Sequence, residues 1–153
     1  MSGTIAARLA ELGITLPDAP APAANYVPFV ISGNMVYVSG QISQDASGLI
    51  KGKLGADLDV AAGAAAAQAC AVSLIAQAQK AAGDLDRIAR VVKLTGFVNS
   101  TPDFTDQPKV VNGCSDLLVE VFGDAGRHAR SAVSAASLPL GVAVEVEAIF
   151  ELR

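Results

Sequence analysis

The residues best equipped for chemistry gather near the end of the chain. The stretch from Arg127 to Arg153 reads RHARSAVSAASLPLGVAVEVEAIFELR. It sets Arg130 among small and apolar neighbours and puts Glu145, Glu147 and Glu151 into an otherwise apolar run. A guanidinium in such surroundings is costly unless a carboxylate meets it, from the protein or from a ligand. Its planar fork matches a carboxylate with two parallel charge-assisted bonds. Alternate residues of a strand share a face, so Glu145 and Glu147 point the same way. With Arg130 on the preceding extended run they form a candidate polar site on a sheet face. Two plainer readings stand beside it. The glutamates line a solvated face, or Arg130 pairs permanently with one of them and holds the sheet together.

Strands must position these side chains. Val142, Val144, Val146, Ala148 and Phe150 fall at the period of two that marks a strand, Val142 to Glu151. Ala129 to Val133 is a second extended run, with a turn around Leu138 to Gly141 between them. Earlier, Val30 to Gln41 predicts a hairpin turning at Gly33-Asn34, followed by a strand that ends in the small residues Ser39 and Gly40. Such residues mark a place where backbone approaches something closely. Leu49 to Leu54 predicts a short edge strand carrying two lysines. Ala89 to Asn99 predicts another strand, with Val92, Leu94 and Val98 on its dry side.

Three helices are expected. Residues 3–12 place Ile5, Leu9 and Leu12 on one side and stop at Gly13. Val60 to Ala82, capped by Asp57 or Asp59 and ended by Gly83, carries a narrow alanine-rich stripe suited to close packing. Asp103 to Phe122, opened by Pro102, has its core stripe at Val110, Val111, Cys114, Leu117, Leu118, Val121 and Phe122. Pro17, Pro20, Pro22 and Pro28 make the intervening stretch an extended arm, and Tyr26 and Phe29 favour a strap buried against the domain. The order predicts an α+β fold, a two-layer sheet with two helices on one face. The other face is left for further copies of the chain or for pockets between them.

Composition narrows the function. A chain of 153 residues makes one domain. A 52% hydrophobic, 17% charged composition predicts an oligomer that hides apolar surface. Eleven basic against fifteen acidic residues, net −4 and without basic runs, make nucleic acid a poor partner. Cys70 and Cys114 are expected as buried free thiols, and no Cys/His spacing suggests a metal. Neither a signal peptide nor a membrane span is expected, so a cytoplasmic location is the default. The single histidine, His128, beside Arg127, reads as a solvated residue on a surface turn rather than a general base.

Three motifs carry a resemblance: VYVSGQI at Val36 to Ile42, ARSAVSAASLP at Ala129 to Pro139, and VAVEVEAI at Val142 to Ile149. In this order and spacing they resemble the RidA/YjgF/UK114 family, also known as the L-PSP endoribonuclease family. The match runs from Tyr26 to Arg153, which leaves residues 1–24 as an N-terminal extension and 25–153 as a single domain. The resemblance implies a chorismate-mutase-like fold and a homotrimer with sites in the clefts between subunits. It implies hydrolysis of reactive 2-imino acids, such as 2-iminobutanoate, to 2-oxo acids and ammonia, with neither cofactor nor metal. A 2-oxo acid binding protein without turnover and an endoribonuclease are the alternatives.

The same resemblance implies residue roles. Arg130 grips the substrate carboxylate and Glu145 helps hold the attacking water. Tyr26, Ser39 and Gly40 line the pocket, joined by Asn112 from the second helix and by Glu147. Three positions depart from the family pattern. Ala132 stands where a cysteine is usual, and activity survives that change if the position acts through its backbone carbonyl. Ser115 replaces a common aromatic, and His128 stands where proline is common.

Overall fold

The computed structural model describes residues 3–19 and 24–153; Pro20 and Pro22 of the expected arm lie outside them. The described elements follow in the order α1 (Thr4–Glu11), β1 (Phe29–Ser32), β2 (Met35–Ile42), β3 (Gln44–Asp45), β4 (Gly48–Leu49), α2 (Val60–Ala82), β5 (Ile88–Asn99), α3 (Gln107–Phe122), β6 (Ala129–Ala135) and β7 (Val144–Leu152). Five strands form one sheet, ordered β1-β2-β7-β5-β6. The pair β5 and β6 is parallel and the other neighbours are antiparallel. Strands β3 and β4 make a small separate ribbon.

Helices α2 and α3 lie side by side on one face, giving the expected two-layer α+β arrangement. Asp59 caps α2 by accepting from the Ala62 N–H at 2.8 Å, and Gly83, at φ +81°, ends it. Small residues let the two helices touch backbone to backbone. A Cβ added at Gly113 of α3 would stand 2.0 Å from the Ala64 carbonyl oxygen of α2. Helix α2 is long and apolar enough to cross a membrane, yet Cys70, Ala71, Leu74 and Ile75 are wholly buried beneath α3 and the sheet. It is the core helix. Cys70 and Cys114 are free and buried, and desolvation raises both thiols well above their ordinary range.

Four expectations need correction. Helix α3 starts at Gln107 rather than near Asp103, because Pro108 sits in its first turn. The preceding residues instead make a tight turn, with the Phe104 N–H donating to the Thr101 carbonyl at 3.1 Å. The strand expected over Leu49 to Leu54 breaks at Gly52, whose φ of +134° leaves strand geometry. What remains of it is Leu49 in β4 and the isolated bridges Lys51–Val142, Leu54–Leu58 and Leu54–Ser100. In β5 the pairing with β7 slips between Val91 and Lys93, so Val91 is buried and Val92 is only half-buried. Lastly, β6 and β7 are not neighbours, since β5 lies between them.

Helix α1 is tied on from outside. Its first N–H groups, Thr4 and Ile5, each donate to the Asp86 carboxylate at 2.9 Å, so a distant side chain serves as the cap that Gly3 lacks. These two bonds lower the Asp86 pKa from the ordinary 3.8. A lowered folded pKa adds stability that is complete above the unfolded value and fades as pH falls through the folded one. Asp86→Ala should therefore melt below wild type at neutral pH, with the two melting temperatures converging on acidification through the carboxylate range. A gap independent of pH would remove the charge from this account.

Candidate active site

Arg130 stands on β6 opposite Leu94 of β5, and adjacent residues of a parallel pair share a face. Leu94 is core, so Arg130 points to the helix side of the sheet. There α3 receives it. Nη1 donates to Asn112 Oδ1 at 2.8 Å and to Ser115 Oγ at 3.0 Å, while Nη2 reaches the Pro108 carbonyl at 3.3 Å. Ala132, two residues along the same face, packs on the core. Among the described residues no carboxylate pairs with Arg130. The permanent pair with Glu145 or Glu147 does not form. All three acceptors are neutral, so the positive charge stays available to an anion.

Glu145 belongs to the other face. Its neighbours Val144 and Val146 are buried under the helices, which turns Glu145 and Glu147 outward. The pairing of β2 with β7 slips between Val38 and Gln41, a bulge centred on Ser39 and Gly40. The Ser39 backbone N–H and hydroxyl both donate to the Pro28 carbonyl, at 3.0 and 2.9 Å, and so pin the arm against the bulge. Glu145 folds over Gly40, where an added Cβ would lie 2.2 Å from its Oε2. Around them is a cavity of about 300 Å³ whose walls include Tyr26, Ser39, Gly40, Gln77, Leu140 and Glu145.

Two buried amides form the cavity's floor. Gln77 Nε2 donates to Gln41 Oε1 at 3.4 Å, and Gln41 Nε2 donates to the Ser39 carbonyl at 3.0 Å. At the rim Leu140 is exposed and holds φ at +61°, a strained conformation for a branched side chain. Burial raises the Glu145 pKa, and the nearby Glu147 charge raises it further. A carboxyl whose pKa is raised in this way is better matched to taking and returning a proton. Tyr26 lines the cavity but is 54% exposed, so it is not the buried strap residue expected; Phe29 is half-buried against the core. Glu147 is exposed, beside Tyr37 and Ile149 in a shallower depression.

The residues singled out in the sequence thus fall into two groups. Tyr26, Ser39, Gly40 and Glu145 come together in one cavity. Arg130, Asn112 and Ala132 come together on the opposite side of the sheet. A single chain does not join the groups, which overturns the expectation of Arg130 and the glutamates sharing a sheet face. Sequence reasoning missed Gln41 and Gln77, both buried. His128 is corrected too. It is half-buried, with Nδ1 at 2.6 Å from the Gly126 carbonyl and Nε2 at 2.9 Å from Ser115 Oγ. Among the described residues no three His, Cys, Asp or Glu side chains converge as metal ligands.

The family model described as "YjgF/chorismate mutase-like, putative endoribonuclease" matches residues 6–152. The chain belongs to this family. Among its YjgF-like relatives, Protein TCP17 of Trypanosoma cruzi is 57% identical over 154 residues, which cover 99% of this chain and 96% of that protein. The crystal structure of Atu1372 from Agrobacterium tumefaciens, a protein of unknown function, is 51% identical with a TM-score of 0.90; the match covers 97% of this chain and 92% of that one. A Shewanella oneidensis structure described as "a putative endoribonuclease" is 37% identical with a TM-score of 0.94, covering 98% and 100%. The YjgF-like fold implied by VYVSGQI, ARSAVSAASLP and VAVEVEAI is therefore the fold this chain adopts.

The bulge generates a test within this YjgF-like site. The atoms that a Gly40→Ala methyl would strike belong to the far end of a flexible side chain. The variant should stay folded, losing no more than about 1 kcal/mol. Glu145 should swing into water, and with less burial its titration should move to lower pH. Carbon-13 NMR of the labelled carboxyl follows this directly; an unmoved titration would contradict the close approach.

Proposed function

We propose that the protein hydrolyses 2-imino acids to 2-oxo acids and ammonia, in clefts formed where the Glu145 cavity of one copy faces the Arg130 of another. The observation that carries this reading is the division of the site. A guanidinium with only neutral partners among the described residues sits on one side of the sheet, and a half-buried carboxyl of raised pKa on the other. The side of the sheet opposite the helices also leaves Val30, Tyr37 and Val133 exposed, a patch suited to burial against further copies. A homotrimer closes such heterologous contacts into a ring.

The chemistry follows from the two groups. Arg130 takes the substrate carboxylate, which fixes the neighbouring imine carbon. Glu145 accepts a proton from water as the water oxygen bonds to that carbon and the C=N electron pair moves to nitrogen. The carboxyl returns that proton to nitrogen, giving a carbinolamine; it then takes the hydroxyl proton and passes it to the amine as the C–N bond breaks, so ammonia leaves as the carbonyl forms. A carboxyl with a raised pKa serves both steps. RNA cleavage finds less support, because the only histidine is already bonded at both ring nitrogens and the charge balance is acidic.

Steady-state rates on enzymatically generated 2-iminobutanoate test the reading. Glu145→Gln should lower kcat by about a hundredfold or more with little change in KM. Arg130→Lys keeps the charge but loses the fork, and should raise KM about tenfold. Glu147→Gln should stay near wild type. Light scattering should give about three chain masses. A wild-type protein that binds 2-oxobutanoate without accelerating hydrolysis would leave the binding function and sink the enzymatic one.

A further inference from the structure

Two positions that depart from the family pattern, Ser115 and His128, meet beside Arg130. The chain of bonds they form has one direction, fixed by what each atom can do. The Gly126 carbonyl can only accept, so the His128 Nδ1, 2.6 Å away, carries the ring proton. In the neutral ring Nε2 is then a bare acceptor, and the hydrogen facing it across 2.9 Å belongs to the Ser115 hydroxyl. With its hydrogen committed, Ser115 Oγ offers only lone pairs to its other neighbour. That neighbour is Arg130 Nη1, at 3.0 Å. Gly126 packs closely on α3, where an added Cβ would stand 2.3 Å from the Leu118 carbonyl oxygen.

We infer that Ser115 and His128 are positioning residues that fix the edge of Arg130 offered to a carboxylate. Both hydrogens of Nη1 are taken, one by Ser115 and one by Asn112 Oδ1 at 2.8 Å. Nη2 gives one hydrogen to the Pro108 carbonyl. Nε has no partner among the described residues. The donors left are Nε–H and one Nη2–H, and turned to the side-on edge of the guanidinium this pair receives both oxygens of a carboxylate. Without the relay the serine hydroxyl is free to turn and offer its hydrogen elsewhere, and the guanidinium can rotate off the ligand axis.

The ligand half of this inference rests on the proposed 2-imino acid function; the relay itself does not. Because His128 is the only histidine, long-range proton–nitrogen NMR reads its tautomer without ambiguity. The relay requires the Nδ1–H tautomer in the wild-type protein, and an Nε2–H ring would overturn it. Calorimetry with 2-oxobutanoate then reads the consequence. Ser115→Ala should weaken binding about tenfold, the size of one hydrogen bond to a charged group, and Ser115→Thr, which keeps the hydroxyl, should restore most of it. In turnover the Ser115→Ala loss should fall on KM and not on kcat. Wild-type affinity in Ser115→Ala overturns the positioning role. If the wild-type protein binds no 2-oxo acid, the functional reading falls while the tautomer still decides the relay.

Discussion

The seating of α3 is the constraint on which the rest of the structure depends. Two glycines set it. Gly113 lets α3 touch the Ala64 carbonyl of α2, and Gly96 of β5 leaves room for Val111, whose Cγ2 would lie 2.6 Å from a Cβ at that position. Pressed between α2 and the sheet, α3 can present only one flank to β6. That flank carries Asn112 and Ser115, spaced for one side of a helix. A methyl at either glycine would lift α3 away, and Arg130 would lose its acceptors before it lost its charge. The fold therefore sets the surroundings of Arg130 as a consequence of close packing.

A second consequence comes from strand geometry. The period of two sends Arg130 inward, toward the helices, and Glu145 outward. The parallel placement of β6 beside β5 separates them further. No side-chain rotation within one chain brings an outward carboxyl to an inward guanidinium. A catalytic reading thus requires a second copy, and the exposed apolar residues opposite the helices give such a copy something to bury. The bulge at Ser39 and Gly40 opens the Glu145 cavity toward the arm at Tyr26 and Pro28, so the carboxyl side of the site is built from segments near the start and end of the domain.

How much of this was legible in the sequence follows from range. Local patterns read well. The α3 stripe from Val110 to Phe122 is buried residue for residue, Asp59 caps α2, and Gly33 turns the first hairpin. What failed depends on partners far along the chain. The bulge that buries Val91 instead of Val92 is set by pairing with β7, and the separation of β6 from β7 is set by the crossover through α3. His128 looked like a lone solvated residue because Ser115 lies on the preceding helix, out of reach of any local pattern. The alternation rule placed Glu145 and Glu147 on one face as found, while Arg130 lies on the other because β5 separates its strand from theirs.

The central claim is that Arg130 of one chain works with Glu145 of another. Co-refolding equal amounts of the Arg130→Lys and Glu145→Gln variants tests it most directly. At substrate concentrations well below KM, Arg130→Lys alone should keep about a tenth of the wild-type rate and Glu145→Gln about a hundredth. In randomly mixed trimers, about one cleft in four receives an intact arginine from one subunit and an intact glutamate from its neighbour. The mixture should therefore regain about a quarter of the wild-type rate. A mixture no more active than its separate components, with mixed trimers verified by mass spectrometry, would contradict the shared site.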